Sequence, residues 1–123
     1  MYDKELAKEI VSQVLLSSKK ILKRMEFIQK IGDLIEQDEK LDGLCMQLIA
    51  IGESLKNFDK ITENSLLPHY PDFNWKQAKA MRDIISHHYF NVNPKIIFEV
   101  CQNEIPKLRD ILQKILEDEF SEQ

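Results

Sequence analysis

The chain has 123 residues, 43% of them hydrophobic and 31% charged, so it has the size of one domain and can bury a core without disulfide or metal staples. Three glycines and four prolines are too few turn formers for a sandwich or barrel of many short strands. A net charge of −4 argues against a general duplex-DNA binder coated in Lys and Arg, and leaves room for a small local basic site.

The N-terminal stretch MYDKELAKEI mixes charges from its third residue, unlike a secretory signal. Leu6, Ile10, Val14, Ile21, Met25 and Ile28 then recur at spacings of three, four or seven, with Val11, Leu15 and Leu22 beside them. That stripe predicts a long amphipathic helix within residues 3–31, ended at Gly32 or by a short turn before Asp33–Gln37. Leu41, Leu44, Leu48, Ile51, Leu55 and Phe58 step 3-4-3-4-3 along a second long helix, a seam that wants a neighbouring helix. Gly52 sits within it, where a glycine costs roughly 1 kcal/mol against alanine, so another backbone is expected to pass close by.

Residues 60–73 hold two prolines and no period, which reads as a loop. Asn74 is the expected N-cap of the next helix, with Gln77 in the capping-box position, and that helix runs from Trp75 to about His88. Asn93 and Pro94 restart the chain as N-cap and first helical residue. The last helix carries Ile97, Cys101, Ile105, Leu108, Leu112 and Ile115 on one face, with a kink expected near Cys101–Glu104 because the Pro106 ring meets the Gln102 carbonyl. The acidic tail from Glu117 is expected to fray. No apolar run approaches the ~20 residues that cross a bilayer. The whole chain, residues 1–123, therefore reads as a single all-α domain, an antiparallel bundle of four main helices with room for a short fifth at Asp33–Gln37.

Cys45 and Cys101 make no disulfide framework and no zinc spacing, which points to the reduced cytoplasm. His69 lies in the loop. His87 and His88 are adjacent, about 100° apart on a helix, and cannot chelate one metal as an i, i+4 pair would. No metal site and no cofactor are expected. What remains is the run from Met81 to Phe90, where Arg82, Asp83, His87, His88 and Tyr89 crowd together beside Lys76, Lys79 and Lys95. From Asn74 to Lys95 there are four basic residues and one acidic one, a cationic island suited to a phosphate-bearing ligand, although a solvated helix face gives the same count. Lys19, Lys20, Lys23 and Arg24 form a second basic patch, read as an extension of that phosphate-binding track or as a solvated face. Tyr70 and Phe73 are candidate loop aromatics shielding a cleft.

Arg82-x4-His87-x-Tyr89 resembles the Arg-x4-His-x-Tyr motif of HepT-like toxins, within the HEPN superfamily of small helical RNases. Ile51-Gly52-Glu53, Trp75 seven residues before the arginine, Tyr89-Phe90 leading into Asn93-Pro94, and Ile105-Pro106-x-Leu108 extend the resemblance over nearly the whole chain. Two positions depart from it: Asp83 stands where such proteins usually have Asn, and a second histidine, His88, fills the variable position. The resemblance implies a metal-independent endoribonuclease toxin, paired with a minimal nucleotidyltransferase antitoxin that transfers AMP from ATP to Tyr89.

Cleaving RNA through its own 2′-hydroxyl requires a base, an acid and a cation for the developing phosphorane charge. Histidine suits both proton roles and arginine forks onto phosphate oxygens. Arg82 and His87 are thus the candidate catalytic residues, with Lys76, Lys79 and Lys95 as RNA contacts. One catalytic histidine is one short of a base plus an acid, so a homodimer is expected to bring two Arg82/His87 sets to one cleft; His88 is the alternative second group. Five residues apart, Arg82 and His87 sit about 140° apart on a regular helix. Asp83 and His87, at i and i+4, share a face, and Asp83 is expected to orient the imidazole. Glu53 is expected to pair with Arg82 or line the cleft. The rival readings are a non-catalytic substrate- or nucleotide-binding partner subunit of a nucleotidyltransferase, and a structural helical dimer.

Overall fold

A computed structural model describes residues 2–87 and 91–121, all of whose regular structure is helical. The helices are α1 (Lys4–Met25), α2 (Ile31–Glu36), α3 (Asp38–Ile61), α4 (Trp75–His87), α5 (Pro94–Glu99) and α6 (Ile105–Glu119). A 3₁₀ turn, Leu67–His69, lies in the α3–α4 loop, and a π-helical turn, Val100–Glu104, joins α5 to α6. Helices α1, α3, α4 and the composite α5–α6 are the four main rods, and α2 is the short fifth. No helix among the described residues is long and apolar enough to cross a membrane.

The predicted stripes meet in one buried cluster, except that Leu6, at the start of the α1 stripe, is exposed. Ile10, Val14 and Ile21 of α1, Leu44 to Phe58 of the α3 seam, and Ile105, Leu108, Leu112 and Ile115 of α6 are all at most 5% exposed. Each such side chain contributes about 1.5–3 kcal/mol relative to remaining exposed. Helix α3 is the central rod, packed against α1 on one side and α4 on the other, while α6 covers α1. Cross-contacts set the direction of the α3–α4 pair: Asp59 meets Lys79, Lys56 meets Asp83 and Glu53 meets Arg82. The late α3 residue Asp59 meets the early α4 residue Lys79, whereas Glu53 and Lys56, earlier in α3, meet Arg82 and Asp83 farther along α4, so the two helices are antiparallel.

The caps agree with the sequence reading. Gln77 N–H donates to Asn74 Oδ1 at 3.0 Å, and Lys95 N–H to Asn93 Oδ1 at 2.9 Å. The kink takes the form of the π turn: Ile105 N–H donates to the Val100 carbonyl five residues back, which widens the turn where Pro106 would press on the Gln102 carbonyl.

Two expectations are corrected. Helix α1 stops at Met25 rather than near residue 31, and Gly32 lies inside α2. The Asp33 carboxylate accepts N–H bonds from Gln29 at 2.9 Å and Lys30 at 3.3 Å, drawing that backbone out of α1 to start α2. The Gln29 amide, followed by that of Lys30, holds the Asp33 carboxyl below its ordinary range. The tail also does not fray at Glu117: α6 runs to Glu119 and Phe120 is buried. Buried Tyr70 donates its phenol to Glu119 Oε2 at 2.8 Å, and its own carbonyl accepts from Trp75 Nε1 at 2.9 Å. Burial and the Glu119 carboxylate drive the Tyr70 pKa up, so the phenol stays a donor. Tyr70 therefore fastens the loop to the end of α6 and shields no cleft at Arg82. Both cysteines are free and buried, and burial pushes their thiols up to about 11 at Cys45 and about 12 at Cys101.

Candidate active site on the third and fourth helices

Helix α4 reaches Glu53 because Gly52 lets it approach. A Cβ placed on Gly52 would lie 2.9 Å from Arg82 Cβ and 3.2 Å from both the Ala78 carbonyl oxygen and the Arg82 nitrogen. The close backbone predicted for this glycine is thus α4 itself, at the turn that carries Arg82.

Four charged side chains converge there. Arg82 Nε contacts Glu53 Oε2 at 3.0 Å, Arg82 Nη1 donates to Asp83 Oδ1 at 3.0 Å, and Lys56 Nζ donates to Asp83 Oδ2 at 2.8 Å. Of the five guanidinium N–H bonds, those on Nη2 have no partner among the described residues. The side chains are between 41% and 63% exposed, and exposed pairs add little to stability; what the network supplies is orientation. Hydrogen bonding to Asp83, followed by the charge of Glu53, raises the Arg82 pKa. Lys56, followed by Arg82, holds the Asp83 carboxyl below the usual carboxylate range.

That depression gives a sign to the pH dependence. A carboxylate whose folded pKa is lowered stabilises the fold above its unfolded pKa of about 3.9, and the contribution is lost as pH falls through the lower folded value. The Asp83 carboxyl, followed by NMR titration, is expected to ionise below a model aspartate, and Lys56→Met is expected to move its midpoint back up.

His87 is the last described residue of α4, exposed, with Nδ1 at 2.7 Å from the Asp83 carbonyl oxygen. The i, i+4 contact foreseen between Asp83 and His87 is therefore made by the main chain, while the carboxylate faces Arg82 and Lys56. Arg82 and His87, on different faces of a regular helix, are linked through this one residue. Asp83→Asn keeps the carbonyl, and with it the partner of His87 Nδ1.

The remaining candidates are scattered. Lys79 is bound to Asp59, a largely buried pair. Lys76 is exposed on the first turn of α4, eleven residues and about 16 Å of helix from His87. Lys95 is exposed on the first turn of α5. Of the α1 patch, Arg24 donates to the Gly43 carbonyl at 3.3 Å. His88 and Tyr89 lie outside the described residues. Lys56 is the participant that sequence reasoning missed. Its signal was its place, one turn beyond Gly52, where an α3 side chain meets the helix that Gly52 admits.

A family model described as "Ribonuclease HepT-like" matches residues 14–115, which include all of these side chains. A protein named "Putative RNase" from Caldanaerobacter subterraneus subsp. tengcongensis is 34% identical over 107 residues, covering 80% of this chain and 90% of its own. Another of that name, from Methanocaldococcus jannaschii, is 32% identical over 86 residues, covering 70% and 68%. A "Probable ribonuclease HepT" from Thermococcus cleftensis is 29% identical over 106 residues, covering 73% and 93%. No solved structure gives a significant match.

Proposed function

Because the chain belongs to the HepT-like ribonuclease family, we propose that it is a metal-independent endoribonuclease, the toxin of a toxin–antitoxin pair, acting on RNA in the cytoplasm. The observation that carries this reading is the bond from His87 Nδ1 to the Asp83 carbonyl. A carbonyl only accepts, so Nδ1 bears the proton, and in the neutral ring Nε2 keeps its lone pair for the substrate.

Nε2 takes the proton of the 2′-hydroxyl as that oxygen attacks phosphorus. The 5′ oxygen of the next nucleotide departs with a proton from a second acid, leaving a 2′,3′-cyclic phosphate and a 5′-hydroxyl. The Nη2 edge of Arg82 balances the charge on the phosphorane. A neutral His87 fills one proton role, so the second belongs to His87 of another copy across a twofold axis. A mixed dimer with one His87→Ala chain is expected to lose most activity; near-full activity would sink the shared cleft.

The antitoxin in this reading is a minimal nucleotidyltransferase that adds AMP to Tyr89. The added phosphodiester brings negative charge and bulk to where an RNA phosphate must sit. Purified protein incubated with RNA in EDTA, beside a His87→Ala control, tests the proposal. Metal-free, His87-dependent cleavage supports it. Cleavage equal in both proteins overturns it, and nucleotide binding without cleavage points to the partner-subunit role instead.

A further inference from the structure

We infer that the outer face of α3 supplies a second part of the RNA site, a shallow concavity lined by Ser54, Lys56, Asn57 and Lys60 that receives the nucleotide next to the scissile phosphate. The inference rests on the ribonuclease reading and says where the strand runs.

The concavity has a volume of about 380 Å³ and begins at Glu53, whose carboxylate contacts Arg82 Nε. It is therefore one side chain removed from the guanidinium, an open hollow that meets the Glu53–Arg82 pair. Glu53, Lys56, Asn57 and Lys60 stand at i, i+3, i+4 and i+7, one face of the helix, and all four are exposed.

Their chemistry suits a ribonucleotide. Lys60 is the cation for phosphate, Lys56 being held by Asp83, while the Asn57 amide and Ser54 hydroxyl can bond a base edge. The lone acid of the lining, Glu53, is already turned to Arg82. Lys56 also donates to Asp83 Oδ2, which offsets the carboxylate that would otherwise repel an approaching phosphate.

The other candidate tracks are less well placed. Lys79 is taken up by Asp59. Arg24 of the α1 patch is fastened to Gly43, ten residues and about 15 Å along α3 from Glu53.

The test is binding of the full chain to a single-stranded RNA made uncleavable by 2′-O-methylation, followed by fluorescence anisotropy at several salt concentrations. Lys60→Gln is expected to raise Kd about 3–10-fold and to lower the slope of log K against log salt by about 0.7, one phosphate contact on a single strand. Lys60→Arg keeps the charge and is expected to keep the slope. Asn57→Ala is expected to raise Kd with no change in slope, because it removes a neutral partner. Lys114→Gln, on α6, is the control for general charge.

Wild-type Kd and slope in Lys60→Gln and Asn57→Ala, alongside His87-dependent cleavage, would overturn the inference and leave the ribonuclease reading standing. The expected binding pattern without any cleavage would overturn the ribonuclease reading and, with it, the placement beside a scissile phosphate, leaving α3 as an RNA-binding face alone. An absence of RNA binding by the unaltered chain also overturns it.

Discussion

Cleavage by the His87→Ala variant is expected to fall by about 10²–10⁴-fold, the range for removing a general acid or base, with RNA affinity close to that of the unaltered protein. The imidazole is exposed at the last described turn of α4, and among the described residues its hydrogen bond is to the Asp83 carbonyl, so its removal is expected to leave the bundle intact. The loss should appear in kcat. Arg82→Ala should differ in kind, because in the proposed mechanism it removes the phosphate cation, and it also strips Glu53 and Asp83 of their shared partner. The freed Glu53 carboxylate then opposes the incoming phosphate, while Asp83 keeps Lys56, and KM should rise as kcat falls. Single-turnover and steady-state cleavage of one RNA by the two variants separates these signatures. Identical profiles would show that the two residues do not divide the work as proton carrier and anion clamp.

Much of this architecture was legible before any coordinates, and the limits follow one rule. Features decided within a single helix could be read: the seam from Leu41 to Phe58, the caps at Asn74 and Asn93, and the disturbance before Pro106, whose clash lies only four residues upstream. Gly52 was legible as a close approach because a glycine inside a helix is costly without one. Contacts between elements were not. Asp33 gathers the Gln29 and Lys30 amides and ends α1 without a Gly or Pro to announce it. Tyr70 reaches Glu119 across 49 positions, so the acidic tail looked free. At the site, Arg82, Asp83 and His87 were found as a local cluster, yet the manner of their joining was not. Lys56 is 27 positions from Asp83, and only the antiparallel pairing of α3 with α4 makes them neighbours. The same pairing puts Lys79 onto Asp59, which no count of local charge could reveal.

Alanine at Gly52 and alanine at Gly43 are expected to move stability in opposite directions, although both glycines lie in α3. At Gly43 the added methyl would meet only the Arg24 side chain, at 3.7–3.8 Å. That is ordinary contact with a flexible group, so the gain in helix propensity stands, about 1 kcal/mol of stabilisation. At Gly52 the methyl would stand 2.9 Å from Arg82 Cβ and 3.2 Å from two backbone atoms of α4, none of which can swing aside. The helices must separate by some tenths of an ångström, and overpacking of this kind costs about 1–3 kcal/mol. Urea unfolding should show both effects as shifts in midpoint with little change in slope. Activity should separate them further. Gly52 holds α4 at the distance where Arg82 touches Glu53, and a displacement near 1 Å at a reacting centre can cost about 10²-fold in rate. Gly52→Ala should therefore lose cleavage well beyond its loss of folded population, whereas Gly43→Ala should cleave normally. If Gly52→Ala unfolded earlier yet cleaved at full rate while folded, the close approach of the two helices would serve packing alone, and the alignment of the guanidinium would have to come from its carboxylate partners.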